Sequence, residues 1–309
     1  MSKHALCVWA IAAVFMAPDS ALAWTRPGHS VTAAIAWDDL AGTDRGVIEA
    51  LTALLPAHPD RGPFEVAAGR ATGDDRTRRL ALECARWPDD ARGTLWDHPT
   101  WHYAFRPLVR AEDAPPAKPK DDPIGDAQEA FALNVRVLAN GLASDAERAV
   151  ALCWVMHLVG DIHQPLHTAQ LFSAAFPNGD RGGTLQFVKD PQTGEAISLH
   201  WFWDDAVNRA GEPEAVVARA RELETGLPRA NLEELGAPAH ARDFAAWAAE
   251  SHPRATSLGY RAGLAAGASK ETAAVLPADY VSAATQAAER RAVLAGHRLA
   301  DVLREALGR

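Results

Sequence analysis

The chain has 309 residues and a formal net charge of −9, which is enough length for one large domain with a buried core. A net acidic surface does not favour electrostatic capture of polyanions such as nucleic acid. A protein of this composition that acts on phosphates would therefore need metal ions to supply positive charge at its site.

The N-terminus has the pattern of a secretory signal. A basic start is followed by an apolar run over residues 5–17 and by Ala21-Leu22-Ala23, a small-x-small cleavage site. The apolar run is short for a membrane span, which needs about 20 residues. We therefore expect residues 1–23 to be a signal peptide. The mature domain, residues 24–309, would be secreted or periplasmic, with no integral membrane segment.

The cysteines leave two alternatives open. Cys7 lies inside the expected signal, so Cys84 and Cys153 would remain in the mature chain. In an oxidising compartment they can form a disulfide. Both also lie among apolar residues, and two buried free thiols fit that setting equally well.

Apolar residues recur at helical spacing in eight segments, and alanine is abundant while β-branched runs are scarce. The predicted helices cover His29 to Leu40, Arg45 to Leu55, Arg78 to Trp87, Ala127 to Leu142, Ser144 to Leu158, Glu212 to Thr225, Ala239 to Ser251 and Ser282 to Leu307. The last is an amphipathic helix expected to close a bundle.

Two regions depart from the helical pattern. Asp113 to Asp122 is polar and proline-rich, which predicts an exposed loop. Leu185 to Leu199 alternates around Pro191-Gln192-Thr193-Gly194, which predicts a short β-hairpin. Because no repeat or interdomain linker is present, we predict an all-α fold: a single multi-helix domain with a small β-hairpin insertion.

The most informative motif runs from His157 to His167, with the sequence His-Leu-Val-Gly-Asp-Ile-His-Gln-Pro-Leu-His. His157 and Asp161 are four residues apart and would share one face of a helix. Pro165 would end that helix, so His167 would leave the bend at another angle. Histidine nitrogens and carboxylate oxygens are common zinc ligands, and this pattern favours a metal site.

Other residues fit the same chemistry. His200 and Asp204 repeat the i, i+4 spacing within Ser-Leu-His-Trp-Phe-Trp-Asp-Asp, and His29, Asp89 and His102 lie beside aromatic residues. Each one alone is explained as well by a hydrogen-bonded structural role. Carboxylates embedded in apolar sequence are costly to bury unpaired, and a bound metal removes that cost.

These motifs, in this order, resemble the secreted three-zinc, single-strand-specific nucleases of fungi, plants and bacteria, a superfamily that includes zinc-dependent phospholipase C. The matching segments are Trp24-Thr-Arg-Pro-Gly-His29, Trp87-Pro-Asp89, His102-Tyr103, His157 to His167, Arg181-Gly-Gly183, His200-x2-Trp-Asp204, Trp247-Ala-Ala-Glu-Ser251 and Ala295-Gly-His-Arg-Leu-Ala300. The resemblance covers nearly the whole mature chain.

The resemblance implies a helical domain around a cleft with three Zn²⁺ ions. The ligands it implies are Trp24 (through its own amine and carbonyl), His29 and Asp161 for one zinc; Asp89, His102, His157 and again Asp161 for a second; and His167, His200 and Asp204 for a third. Signal removal would then activate the protein, because the nitrogen of Trp24 is a poor ligand as long as it belongs to the peptide bond with Ala23. His163 is not a ligand in this family, and we expect it to be a structural hydrogen-bonding residue.

Two further residues have roles implied by the resemblance. Arg92 would offset charge on the phosphate in catalysis, together with the bridging Asp161. A solvated surface charge is the alternative for Arg92. Tyr103 would stack on a nucleobase of the substrate. The alternative for Tyr103 is packing beneath the metal site.

The chain departs from the family pattern near the reacting water. The family carries an aspartate three residues after the histidine that corresponds to His102, whereas this chain has Phe105, followed by Arg106. Thr25 replaces the usual glycine after the N-terminal tryptophan, and Thr184 replaces the asparagine of Gly-Gly-Asn. The predicted metal ligands are intact while the residues that orient water have changed, so the sequence supports metal binding more firmly than nuclease activity.

We expect a secreted zinc-dependent phosphodiesterase that hydrolyses single-stranded DNA and RNA, with 3′-nucleotidase activity as an additional reaction and no stable protein partner. One alternative is phospholipase C-like hydrolysis of phospholipid headgroups, for which the missing aspartate leaves room. The acidic charge and the lack of an amphipathic lipid-facing insertion argue against it. The other alternative is a non-catalytic zinc-binding protein.

Overall fold

The computed structural model describes residues 24–110, 125–236 and 243–308. The expected signal with Cys7, the predicted loop from Asp113 to Asp122 and the first residues of the helix predicted from Ala239 lie outside these ranges. Within them, no helix combines the length and the apolar character needed to cross a membrane.

The described chain is mostly helical, as predicted. Its α-helices are α1 Arg26–Ala41, α2 Arg45–Leu54, α3 Arg61–Ala68, α4 Gly73–Asp90, α5 Ala127–Ala139, α6 Asp145–His163, α7 Leu199–Asp204, α8 Pro213–Gly226, α9 Glu233–Gly236, α10 Phe244–Arg254 and α11 Ala278–Leu307. The strands are β1 Arg106–Leu108, β2 Ala169–Leu171, β3 Phe187–Lys189, β4 Ala196–Ser198 and β5 Ala274–Val275.

The predicted hairpin is confirmed. β3 and β4 pair antiparallel, with Val188 opposite Ile197, and β5 adds a parallel strand beside β3. A second small sheet, in which β1 and β2 pair in parallel, was not predicted. Strands of two or three residues carry too little periodicity to be recognised in a sequence.

The helix that carries the central motif extends further than predicted. α6 begins after Ser144, whose side chain and that of Glu147 form a capping box, and it continues to His163 instead of ending at Leu158. It stops two residues before Pro165, as the motif predicts. α4 is also longer than predicted: it contains Pro88 and so carries Asp89 in its last turn.

α6 is the central helix of the domain. It packs against α4, α5, α10 and α11, and every residue from 151 to 163 is buried. The polar side chains on this stretch therefore face other parts of the protein, where each needs a partner because burying an unpaired polar group is costly.

A disulfide links α4 to α6 and settles the question that the sequence left open. Cys84 and Cys153 are bonded across a sequence separation of 69 residues. The bond lies close to the candidate metal ligands, because Ala85 accepts a hydrogen bond from His157, one helical turn after Cys153.

Removing this bond should destabilise the protein. The chain entropy of a loop of this length predicts that the double variant Cys84→Ala/Cys153→Ala loses about 4 kcal/mol of unfolding free energy. Urea denaturation of both metal-loaded proteins would measure the difference. An unfolding free energy within about 1 kcal/mol of the wild type would contradict the prediction.

Candidate metal centre

The fold brings eight predicted ligand side chains into one buried region. They come from α1, the end of α4, the loop before β1, α6, the turn after Pro165 and α7. They form three groups whose candidate ligand atoms lie within 4.8 Å of one another: His29, His157 and Asp161; Asp89, His102 and His157; and His167, His200 and Asp204. Each group could hold a metal ion.

Asp161 lies between the first two groups. Its Oδ1 is 3.2 Å from Nε2 of His29. Its Oδ2 is 3.1 Å from Nδ1 of His102 and 3.3 Å from Nε2 of His157. One carboxylate thus presents an oxygen to each group, which is the arrangement that a carboxylate shared between two ions requires.

Backbone carbonyl groups fix the orientation of three of the histidine rings. Nδ1 of His157 donates to Ala85 O at 2.8 Å, Nδ1 of His167 donates to His102 O at 2.7 Å, and Nδ1 of His200 donates to Gly182 O at 2.7 Å. Because a carbonyl only accepts, each Nδ1 carries the hydrogen of the neutral ring. Nε2 is therefore left with a lone pair, as a metal ligand requires.

In the third group, formed by His167, His200 and Asp204, the Nε2 lone pairs of the two histidines face each other. Nε2 of His167 and Nε2 of His200 are 3.2 Å apart, and Oδ2 of Asp204 lies 3.5 Å from Nε2 of His200. Two acceptors cannot share a hydrogen bond, so neutral rings repel in this arrangement. A cation among the three atoms would turn that repulsion into attraction.

Several ligand atoms have no hydrogen-bond partner among the described residues. They are both ring nitrogens of His29, Nε2 of His102, Asp89 Oδ2, Asp161 Oδ1 and Asp204 Oδ2. An unsatisfied buried polar atom typically costs about 1–3 kcal/mol. The concentration of such atoms in one place fits a site for metal ions.

The pKa shifts of the candidate ligands also fit a metal site. Burial raises the pKa of Asp161 to about 7 and that of Asp204 well above its usual value. Burial, together with neighbouring histidines, lowers the pKa values of His29 and His102 well below the ordinary range. His29 and His102 are thus held in the neutral form that binds metals, whereas the pKa of His157 is raised because the Asp161 and Asp89 carboxylates outweigh the effect of its burial. The Asp161 and Asp204 carboxylates need a compensating cation to ionise.

Trp24 lies against this region. Its indole Nε1 donates to Gly160 O at 2.9 Å, next to Asp161. A Cβ at Gly160 would lie 2.7 Å from Nδ1 of His29, so only glycine permits this close approach of α1 to α6. Thr25, at the position where the resemblance expects glycine, donates its N–H to Asp204 O at 3.0 Å and its hydroxyl to Asn208 O at 3.2 Å.

Arg92 and Tyr103 flank the groups. Arg92 donates to Asp89 Oδ1 at 2.9 Å. The partly buried Tyr103 ring stacks on Phe105 with centroids 4.6 Å apart and lies 4.8 Å from the His167 ring. Phe105 is buried beneath Tyr103, so no carboxylate occupies this position, and the Arg106 side chain is exposed.

His163 is a structural residue, as expected. Its Nδ1 donates to Val159 O and its Nε2 accepts from Arg298, away from the three groups. Sequence reasoning missed the neighbouring Gln164, whose side chain donates to Asp204 Oδ1 at 2.6 Å. The available signal was its position between two histidines of the central motif.

A mostly helical domain with three buried His/Asp groups is an arrangement suited to metal-dependent hydrolysis. The family model S1/P1 nuclease matches residues 24–308, and the chain belongs to this family. Membership identifies it as a nuclease-type hydrolase, and all eight grouped residues lie within the matched range. No curated protein matches the chain.

The position of Asp161 predicts the outcome of a substitution. Asp161→Asn removes the charge and one of the two candidate ligand oxygens, so we expect binding of added zinc to be lost or weakened for at least one ion. Asp190→Asn is the matched control, because Asp190 is also buried but accepts from Gln192, Thr193 and Arg209, outside the three groups.

The measurement is the zinc content of both variants after dialysis against a weak chelator. The control should retain the zinc content of the wild type. If Asp161→Asn also retains it, the shared-ligand assignment is wrong.

Proposed function

We propose that this protein is a secreted zinc-dependent phosphodiesterase that hydrolyses single-stranded DNA and RNA, with 3′-nucleotidase activity as a further reaction. The observation that carries the proposal is the set of three buried His/Asp groups, two of them joined through Asp161, within a chain of the S1/P1 nuclease family. The signal peptide over residues 1–23 and the mature domain over residues 24–309 are part of the proposal.

The proposed ligands are the eight residues that the geometry groups together, supplemented by Trp24, which the resemblance implies. One zinc would be held by Trp24, His29 and Asp161, a second by Asp89, His102, His157 and Asp161, and a third by His167, His200 and Asp204. The donors are histidine nitrogens and carboxylate oxygens, the combination that zinc accepts. When bound, zinc lowers the pKa of water and stabilises negative charge on phosphate oxygens.

Trp24 connects the metal centre to maturation. Its indole donates to Gly160 O, next to Asp161 in sequence, and the N–H of Thr25 donates to Asp204 O, so both the side chain and the following peptide of Trp24 are bonded to helices that carry candidate ligands. Only a chain that starts at Trp24 would have a free amine there, and this amine must lose its proton to bind a metal.

Arg92 would act on the phosphate. Its bond to Asp89 Oδ1 holds the guanidinium at the edge of the second group. The protein is acidic overall, so a positioned arginine and the metal ions would provide the local positive charge that a phosphodiester requires.

Tyr103 would contact the substrate base. Its ring is supported on one side by Phe105 and lies beside His167, and it remains partly exposed. A supported aromatic face binds any nucleobase by stacking, which suits an enzyme of low base preference.

The decisive test is hydrolysis by the zinc-loaded protein. We expect protein that begins at Trp24 to degrade single-stranded DNA and RNA faster than duplex DNA. The same protein with Ala23 retained should be strongly impaired, because Trp24 then has an amide nitrogen instead of an amine. The two preparations differ by one residue and are matched controls.

Other outcomes would redirect the proposal. Release of phosphorylated headgroup from phosphatidylcholine vesicles without nucleic acid cleavage would indicate a phospholipase C-like enzyme. Full zinc occupancy without turnover of either substrate would indicate a non-catalytic zinc-binding protein.

Tyr103 offers a second test. Tyr103→Ala should raise the KM for single-stranded substrates, because stacking contributes about 1–3 kcal/mol per base. Tyr103→Phe, which keeps the ring, should behave like the wild type. If Tyr103→Ala instead loses zinc from the third group while KM is unchanged, the residue packs beneath the metal site and does not bind a base.

A further inference from the structure

Gln164 is a fully buried amide that connects the end of α6 to α7. Its Nε2 donates to Asp204 Oδ1 at 2.6 Å, and its Oε1 accepts from Leu166 N at 2.5 Å. It follows α6 directly and precedes the turn that carries His167. One side chain thus contacts a candidate ligand on α7 and the turn that presents another.

The orientation of this amide is fixed by its partners. Leu166 offers a backbone N–H, which only donates, so the amide oxygen must face it. The NH₂ group must then face Asp204, where it donates to Oδ1. The other oxygen, Oδ2, has no hydrogen-bond partner among the described residues and lies 3.5 Å from Nε2 of His200.

The end of α6 is itself held firmly by α10 and α11. Ser251 Oγ donates to Ile162 O at 2.5 Å, and Arg291 Nε donates to His163 O at 3.3 Å. Arg298 donates to Nε2 of His163 at 2.9 Å and forms two bonds with Glu250, at 2.7 and 2.8 Å. Both arginines are fully buried, so Gln164 extends from a rigid base.

We propose that Gln164 is a positioning residue that turns the Asp204 carboxylate so that Oδ2 faces His167 and His200, and that it thereby sets the zinc affinity of the third group. The inference rests on the proposed function, since it assumes that this group binds zinc. Partners that orient a metal-ligating side chain typically contribute about 10–100-fold in metal affinity.

The test replaces Gln164 with a side chain of similar length that cannot hydrogen-bond. Gln164→Met should weaken binding of one of three zinc ions by about 10–100-fold and leave the other two unchanged. Asn134→Leu is the matched control, because Asn134 is also a buried amide but donates to Ala130 O within α5. The control should keep all three zinc affinities.

Zinc release to a chromogenic chelator resolves the ions by rate and does not depend on enzymatic activity. Combination with His167→Ala separates positioning from general structure, since that variant already lacks a ligand of the third group. Gln164→Met should then add no further zinc loss. A purely structural role would instead weaken all three ions in both backgrounds and would overturn the inference.

The remaining outcomes are also decisive. If Gln164→Met does not fold, Gln164→Asn keeps the amide but displaces it by one methylene, and the same selective loss is expected. If the wild type binds three zinc ions and the variants bind them equally well, the inference alone fails. If the wild type binds no zinc, the proposed function fails and the inference fails with it.

Discussion

The structure depends on the burial of Asp161 in the last turn of α6, a stretch of helix that is surrounded by protein. An uncompensated carboxylate in that setting costs several kcal/mol. Burial accordingly raises the pKa of Asp161 to about 7. Both oxygens of Asp161 face histidine nitrogens at 3.1–3.3 Å instead of apolar side chains. The candidate ligands around Asp161 come from α1, from the loop before β1 and from the preceding turn of α6, which contribute His29, His102 and His157.

Backbone carbonyl groups from neighbouring segments orient several of the candidate ligands. α4 carries Asp89 and also supplies the Ala85 carbonyl that orients His157, and the adjacent disulfide holds α4 against α6. The Gly182 loop supplies the carbonyl that orients His200. Such paired contacts limit how far a ligand can move before its hydrogen bond breaks, which is how a buried polar cluster remains ordered.

The i, i+4 spacing of His157 and Asp161 and the proline bend before His167 predicted the core of the site, because both are local properties of the chain. What the sequence could not show depends on contacts between distant segments. The disulfide is one case, since Cys84 lies 69 residues from Cys153, and the bond from Gln164 to Asp204 is another. The predicted helix ended at Trp87, two residues before Asp89, whereas α4 continues through Pro88 to Asp90.

Two departures from the family pattern, Thr25 and Phe105, differ in their structural consequences. The Thr25 hydroxyl, which glycine would lack, donates to Asn208 O just beyond α7 and adds a contact that holds the N-terminal segment in place. Phe105 packs between Tyr103 and Gly182, where a Cβ on the glycine would lie 2.8 Å from the ring, so an acid at position 105 is replaced by apolar support for an aromatic face. The two replacements therefore add a contact at the N-terminal segment and support the Tyr103 ring, while the chain lacks the carboxylate that the family pattern has at position 105. We expect this combination to affect the chemical step more than the binding of metal or base.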